Sequence, residues 1–446
     1  MKSLFKKFTR IYQASSYYLF RQFYTLNHCL MLLKMKLFKP KHSDREKKYI
    51  ILCGAELNSP RSSAMIFSAI ALIKQVHPQL KPVVFSMLNY PASKEEKNSY
   101  NFKIIHWVFH SRARLISRGN RLFFRKLPQE QEIRHIAEQT LCMLDLGNFQ
   151  LSSKRGTGWS ANCLSNVAFS KRFNLPYYFF PQYFGPFNYP IKMRFNFWLF
   201  LKLALPVPKK IFFLDPDSKK HLSKHTESNL EQSCDFILAG HELEDNAIYK
   251  NPSSLSPLNI KQGAIAVIPG SQLLDYSSFD QLLEFYSELI SGLSALNPFI
   301  YIIPYTASSD DLRLCTTLKS RFRRASNIEL IEARLNAFEL EKVTAQFALL
   351  ISSKYYATLA AHKKGVPVVA ISRTKKTREL MKKLGQQRCF FQYSDELMAE
   401  EPLAAASHLL EHSEQELAII AKEINAIQRQ HRPQFTQALT LAHEQR

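Results

Sequence analysis

Glycine is scarce in this chain, at 12 of 446 residues, where an average composition supplies roughly 7%. Neither Gly-x-Gly-x-x-Gly nor Gly-x-x-x-x-Gly-Lys-Ser/Thr occurs, so the two commonest glycine-rich phosphate loops are excluded, and with them most of the case for a dinucleotide-binding or P-loop protein. The seven cysteines (29, 53, 142, 163, 234, 315 and 389) never form a Cys-x-x-Cys pair. That argues against a disulfide frame and a zinc ribbon, and for a reducing compartment. Acidic charge is short as well: 37 Asp and Glu stand against 60 Lys and Arg, leaving +23. A bilayer-spanning helix needs about twenty mostly apolar residues. The most apolar early stretch, residues 17–33, is broken by Arg21, Gln22, Asn27 and His28. No clean apolar core with a small-residue cleavage site marks a secretory signal.

What is abundant points to a packed protein. Hydrophobic residues make up 46% of the chain, with 33 Phe and 19 Tyr to be buried; a disordered chain lacks such content, and this length suits two α/β domains. The positive excess attracts polyanions such as nucleic acid, anionic lipid or phosphorylated substrates, and it is uneven. Residues 1–48 hold twelve basic side chains against Asp44 and Glu46. Their aromatic and leucine side chains, mixed with Lys2, Lys6, Lys7, Arg10, Lys34, Lys36, Lys39 and Lys41, suit an interfacial helix on an anionic membrane; an arm packed on the protein's own surface is the plainer alternative. Residues 191–203 (IKMRFNFWLFLKL) could share that membrane or form a core helix. No nucleic-acid-binding module accompanies the charge, so nucleic acid ranks last among partners.

Short apolar runs then alternate with helical spacing. Tyr49–Gly54, 82–86, 104–108, 141–145, 177–180 and 211–214 read as strands, with a helix over 64–76. A Pro- and Ser-rich linker at 250–262 follows, and the cycle restarts with strands at 264–268, 299–303, 328–331, 347–351 and 366–371. Strands alternating with helices predict doubly wound parallel sheets. The expected fold is α/β, two Rossmann-like domains facing a cleft: a first domain over 49–250, a second over 263–400, and a helical tail over 401–446. Ligands in such sheets bind beyond the carboxyl ends of the strands.

Those strand ends read Asp145-Leu-Gly-Asn-Phe149, Pro181-Gln-Tyr-Phe-Gly-Pro-Phe187, Asp215-Pro-Asp-Ser218, Pro269-Gly-Ser-Gln272, Pro304-Tyr305 and Ser352-Ser-Lys-Tyr-Tyr-Ala357, followed by Gly365-Val-Pro-Val368. As an ordered set over most of residues 50–390 they resemble the polysaccharide pyruvyl transferase family. FFPQYFGPF is similar to its Leu-Pro-Gln-x-x-Gly-Pro-Phe, and ISSKYYATLAAHKKGVPVVAIS to its Ser-Arg-Tyr-His-Ala and Gly-Val-Pro-Val. The resemblance implies a glycosyltransferase-B type fold. It also implies transfer of pyruvate from phosphoenolpyruvate, as a cyclic ketal, onto a sugar of a cell-surface glycan or its lipid-linked precursor. Phosphoenolpyruvate would be a substrate, with no cofactor and no metal required, and the protein would sit in the cytoplasm on the inner face of the membrane. Such chemistry needs cations for a carboxylate and a phosphate, ideally a bidentate Arg, a general acid for the methylene carbon, and a base for the sugar hydroxyl.

The departures from the family pattern matter as much. Its Arg-Tyr-His is Lys354-Tyr355-Tyr356 here, its Pro-His is Pro304-Tyr305, its Ala-Arg-Asp is Phe213-Leu214-Asp215, and its small glycine-rich turn is Ser59-Pro-Arg-Ser-Ser-Ala-Met65. Lysine replaces Arg as a point charge but not as a fork. Either the donor site is rebuilt or catalysis has been abandoned. A rebuilt site would use Asp145, Tyr305 and Tyr356 as catalytic groups. Lys354, Arg373, Lys376, Ser352 and Ser353 would hold the donor, and Gln182, Gly185, Ser271 and Asp275 the acceptor. Two alternatives stand beside this reading: an inactive glycan-binding or scaffold protein, and a nucleotide-sugar glycosyltransferase of the same fold. His221-x-x-x-His225 has a metal-like spacing but lacks the Glu and a third ligand, so a solvated helix face is expected there.

Overall fold

The computed structural model describes residue 22 and residues 25–36, 45–88, 92–107, 129–147, 149–240, 244–251, 258–296, 299–306, 309–333 and 335–444. Much of the basic arm (1–21, 23, 24 and 37–44) lies outside them. Tyr49–Cys53 (β1), Lys81–Ser86 (β2), Lys103–His106 (β3), Thr140–Asp145 (β4), Tyr177–Gln182 (β5), Lys210–Phe213 (β6) and Leu230–Gln232 (β7) form the first sheet, in the order β3-β2-β1-β4-β5-β6-β7. Ile265–Ile268 (β8), Ile300–Ile302 (β9), Ile328–Leu330 (β10), Leu349–Ser352 (β11), Val368–Ile371 (β12) and Phe390–Phe391 (β13) form the second, β10-β9-β8-β11-β12-β13. Paired strands run parallel in both, which leaves the central strands covered on both faces and explains their continuous apolar runs. The chain is therefore two Rossmann-like domains of the expected class. β7 and β13, at the sheet edges, are two or three residues long and carry no apolar periodicity by which to read them.

In each sheet the order reverses beside its first strand, between β1 and β4 and between β8 and β11. Cys53 pairs with Asp145, and Ile268 with Ser352, so these strand ends are level and open a crevice. The turn leaving β1 needs glycine. Gly54 holds φ +80, and a Cβ there would come within 2.8 Å of the Gly147 amide nitrogen. The chain then enters the Pro60–Val76 helix, with extended Ser59 as N-cap and Pro60 in the first turn, where a missing N–H leaves nothing unsatisfied.

The lobes are joined by more than the linker. The Ala337 amide donates to Ser63 Oγ at 3.2 Å, and Asn336 Nδ2 to the Tyr249 hydroxyl at 2.6 Å. One apolar cluster runs through both lobes. The Ser413–Glu444 helix returns to the first lobe, placing the Phe435 ring 5.5 Å from Phe180, 5.4 Å from Phe212 and 5.0 Å from Phe236. Arg432 Nε donates to the Ala239 carbonyl at 2.7 Å. Replacing the fully buried Phe435 by Ala is expected to cost about 3–5 kcal/mol, read as a lower denaturant midpoint; a loss below a few tenths would show that the tail does not anchor the first lobe.

Candidate interlobe site

A cavity of about 470 Å³ lies where the two switch points face each other. Its wall includes Glu56, Arg61 and Arg155 from the first lobe and Tyr305, Lys354 and Tyr355 from the second. Arg61 is the second residue of the Pro60–Val76 helix. Its Nη2 lies 2.9 Å from Asp235 Oδ2, and its guanidinium carbon stacks 4.8 Å from the Tyr355 ring centroid. The Tyr355 hydroxyl donates to the same Asp235 oxygen at 3.0 Å. Two first-lobe charges and a second-lobe phenol thus form one unit across the cleft. Burial disfavours both charges, yet their attraction prevails: Asp235 is held below the usual carboxylate range and Arg61 is raised. Arg61 Nε and Nη1 remain buried without a protein hydrogen-bond acceptor, an expensive arrangement unless a ligand or water accepts from them.

Lys354 is neutralised in place. Its Nζ lies 2.9 Å from Asp311 Oδ1, and Asp311 also accepts from the Ser271 amide (3.1 Å) and Thr306 Oγ1 (2.7 Å). Burial pushes the Asp311 carboxyl up, but Lys354 and these donors bring it below its ordinary value. Lys376, in the first turn of the Lys375–Lys383 helix, crosses to the first lobe and lies 3.9 Å from the Tyr183 ring centroid and 5.8 Å from that of Phe149. Burial first and the Arg61 charge second lower its pKa to about 7, with Arg155 adding to the effect. Glu56 is fixed by the Ser86 hydroxyl and by the Met87 (2.8 Å) and Leu88 (3.2 Å) amides.

Of the residues selected from the sequence, Ser353, Lys354, Tyr305 and Tyr356 reach the cavity wall. Tyr356 is almost fully buried, with its hydroxyl donating to Glu341 Oε1 at 3.0 Å. Tyr355, its neighbour, lines the cavity as well. Asp145 is fully buried and off the cavity wall, accepting from the Tyr177 hydroxyl at 2.6 Å and the Gly147 amide at 2.9 Å. Burial raises its pKa despite those donors. Gln182 is buried beside it, its Nε2 3.4 Å from Asp145 Oδ1.

The other selected residues also sit off the cavity wall. Gly185, at φ +78, packs on the His221 ring. His221 and His225 flank Phe187, at 5.9 and 5.7 Å between centroids. Ser352 Oγ closes a turn with the Lys354 amide at 3.0 Å, while Asp275 is exposed. Arg373 is exposed and reaches the Tyr393 carbonyl and the Tyr276 ring instead. Arg61, Arg155 and Asp235 were not selected from the sequence. Ser59-Pro60 before an apolar helix is a helix-start signal that places Arg61 at the mouth of the crevice; nothing local marks Asp235.

The fold has solved counterparts. The chain is similar to the UDP-GlcNAc 2-epimerase of Methanocaldococcus jannaschii, at 11% identity and a TM-score of 0.50, over 81% of this chain and 92% of that one. It is also similar to the UDP-GlcNAc 2-epimerase of Neisseria meningitidis bound to UDP-GlcNAc, at 14% identity and a TM-score of 0.49, over 84% and 94%. The likeness is one of fold: two lobes of the glycosyltransferase-B type. No protein-family model matches the chain, and no curated protein matches it in sequence. The pyruvyl transferase resemblance therefore rests on the quoted segments alone.

Removing Lys354 takes the adjoining positive charge from the buried Asp311, so Lys354→Met should destabilise the fold by about 3–5 kcal/mol rather than only weaken a ligand. An unchanged melting temperature would show that the ion pair is dispensable. The two carboxylates also set an acid limit. Both native values lie below the ordinary 3.8, so below 3.8 the unfolded chain binds protons that the native state does not. Their contribution is complete above that value and is lost as pH falls through the lower native ones; Asp235→Asn should flatten the acid limb of a stability–pH curve.

Proposed function

We propose that the interlobe cleft binds a phosphate-bearing donor and that the chain is a transferase acting on a sugar hydroxyl. The observation that carries this reading is Arg61: a buried guanidinium on the cavity wall, anchored through one nitrogen, with Nε and Nη1 unpartnered. Those two N–H groups lie on opposite edges of the guanidinium, and each can donate singly to a phosphate or carboxylate oxygen. Arg155, at the cavity mouth, and Lys376, close by, add positive charge without the intimate neutralisation that Asp311 gives Lys354. The anion site moves accordingly from Lys354 to Arg61.

A nucleotide sugar is the first donor for this site. The fold is similar to that of enzymes named for UDP-GlcNAc, and the cavity volume falls in the range of roughly 300–1,000 Å³ usual for small-molecule sites. Phosphoenolpyruvate is the second. It is favoured by the segments resembling pyruvyl transferases, which set Ser353 and Lys354 on this wall and bring Lys376 beside Arg61. With either donor, Tyr305 would contact the donor, and Glu56 is the carboxylate on the wall proposed to take the proton of an incoming hydroxyl.

A melting series separates the donors. Under excess UDP or UDP-GlcNAc the melting temperature should rise, a ligand at 100 times its Kd adding about 2.7 kcal/mol. A shift with phosphoenolpyruvate alone would transfer the reading to pyruvyl transfer. No shift with any of the three, or equal shifts in wild type and Arg61→Gln, would end it. Binding without turnover against glycan acceptors would leave a binding protein. Lys376 adds a pH signature. Its ammonium deprotonates above about 7 in the free protein, whereas an adjacent anion favours the charged form. Affinity should therefore fall by up to about tenfold per pH unit above 7 in wild type and remain flat in Lys376→Gln, measured by calorimetry.

A further inference from the structure

Two helices away from the cleft leave an apolar face uncovered. On the 191–204 helix, Met193, Phe197, Phe200, Leu201 and Ala204 are buried. Ile191, Phe195 and Trp198, at spacing i, i+4, i+7, point outward and are 83%, 67% and 46% exposed. The helix over 25–36 lies beside it. Gln22 Nε2 donates to the Lys192 carbonyl at 2.8 Å, and the His28 and Phe200 rings are 5.8 Å apart. That helix repeats the pattern: Cys29, Leu32 and Met35 face inward, and Leu26, Leu30 and Leu33, again i, i+4, i+7, face outward. Lys34, Lys36, Lys192, Arg194 and Lys202 are exposed on the same pair of helices, and neither 25–36 nor 191–204 contains an acidic residue. Trp198 carries Lys202 Nζ 5.1 Å from its ring centroid.

We infer that this paired-helix face docks on an anionic lipid bilayer, with Ile191, Phe195, Trp198, Leu26, Leu30 and Leu33 entering the headgroup–acyl boundary and the five cations meeting lipid phosphates. The chemistry is that of an in-plane amphipathic surface: an apolar ridge with an aromatic, a basic fringe and no carboxylate to repel the lipid. No helix among the described residues is long and apolar enough to cross a membrane, so the contact is peripheral. An aqueous protein partner would be served equally well by mixed charges; the one-signed fringe selects an anionic surface. The inference does not depend on which donor the cleft takes.

The test uses the full chain with vesicles of phosphatidylcholine alone and of phosphatidylcholine with one quarter phosphatidylglycerol. Sedimentation with the anionic vesicles only, weakened by added salt, is the expected result. Phe195→Glu combined with Trp198→Glu should reduce binding at least about tenfold, since each change places a charge at an apolar boundary position, while the melting temperature and the ligand-dependent melting shifts stay as in wild type. Brominated lipid should quench Trp198: of the three tryptophans, Trp107 is buried and Trp159 lines the cleft, and Trp198→Phe should abolish the quenching. Protein remaining in the supernatant with anionic vesicles, equal binding by the double variant, or a vesicle-independent dimer dissolved by the same substitutions would each overturn the inference, the last in favour of a second copy of this chain.

Discussion

The contact on which the cleft depends is the one between Arg61, Asp235 and Tyr355. An arginine and an aspartate from different segments of the first lobe share an oxygen with a phenol from the second lobe, and the same phenol lies beneath the guanidinium. Burying this pair would be unfavourable unless each charge were answered. Asp235 is answered by Arg61, by Tyr355 and by the Ile237 amide at 3.0 Å; Arg61 is answered on one edge only. The unit ties the two lobes together at this point and leaves Arg61 Nε and Nη1 buried without a protein acceptor.

The rest of the electrostatics follows from that placement. Lys354 approaches the same cavity but is bound to Asp311, so it acts chiefly as a strut between the strand end after β11 and the 309–321 helix. Lys376 enters a neighbourhood already positive from Arg61 and Arg155, and its charge is held less firmly there. It rests on Tyr183, next to Phe149, whose φ of +60 is unusual for a bulky aromatic and belongs to the strained backbone that concentrates at ligand sites. The cleft thus brings together one buried guanidinium, a lysine with a lowered pKa and phenolic walls.

The division into two doubly wound lobes was legible because parallel strands covered on both faces must be continuously apolar, as Ile50–Cys53 and Ile265–Ile268 are, and because strand ends are where such sheets bind ligands. The strand-end segments supply part of the interlobe cavity wall, through Tyr305, Ser353 and Lys354. Side-chain direction was not legible. Tyr355 and Tyr356 are adjacent and chemically identical, but successive helical positions point about 100° apart, so the hydroxyl of one meets Asp235 across the cleft and that of the other meets Glu341 within its own lobe. Asp145 ends a strand as a functional carboxylate would, yet Tyr177 and the close approach of Gly54 roof it over.

The sequence alone determined the sheet class, the two-lobe organisation, the absence of the two commonest glycine-rich phosphate loops and the aromatic, basic character of residues 191–203, because each is a property of local composition and period. Only the tertiary structure decided which carboxylate each cation meets and which of its donors stay without a partner. Arg61 and Asp235 lie far apart along the chain, as do Lys354 and Asp311, and the field at each charge depends on neighbours delivered by other elements. The apolar face of the 191–204 helix became meaningful for the same reason: a helix with a hydrophobic stripe on both sides is ambiguous until packing buries one stripe and leaves the other in water.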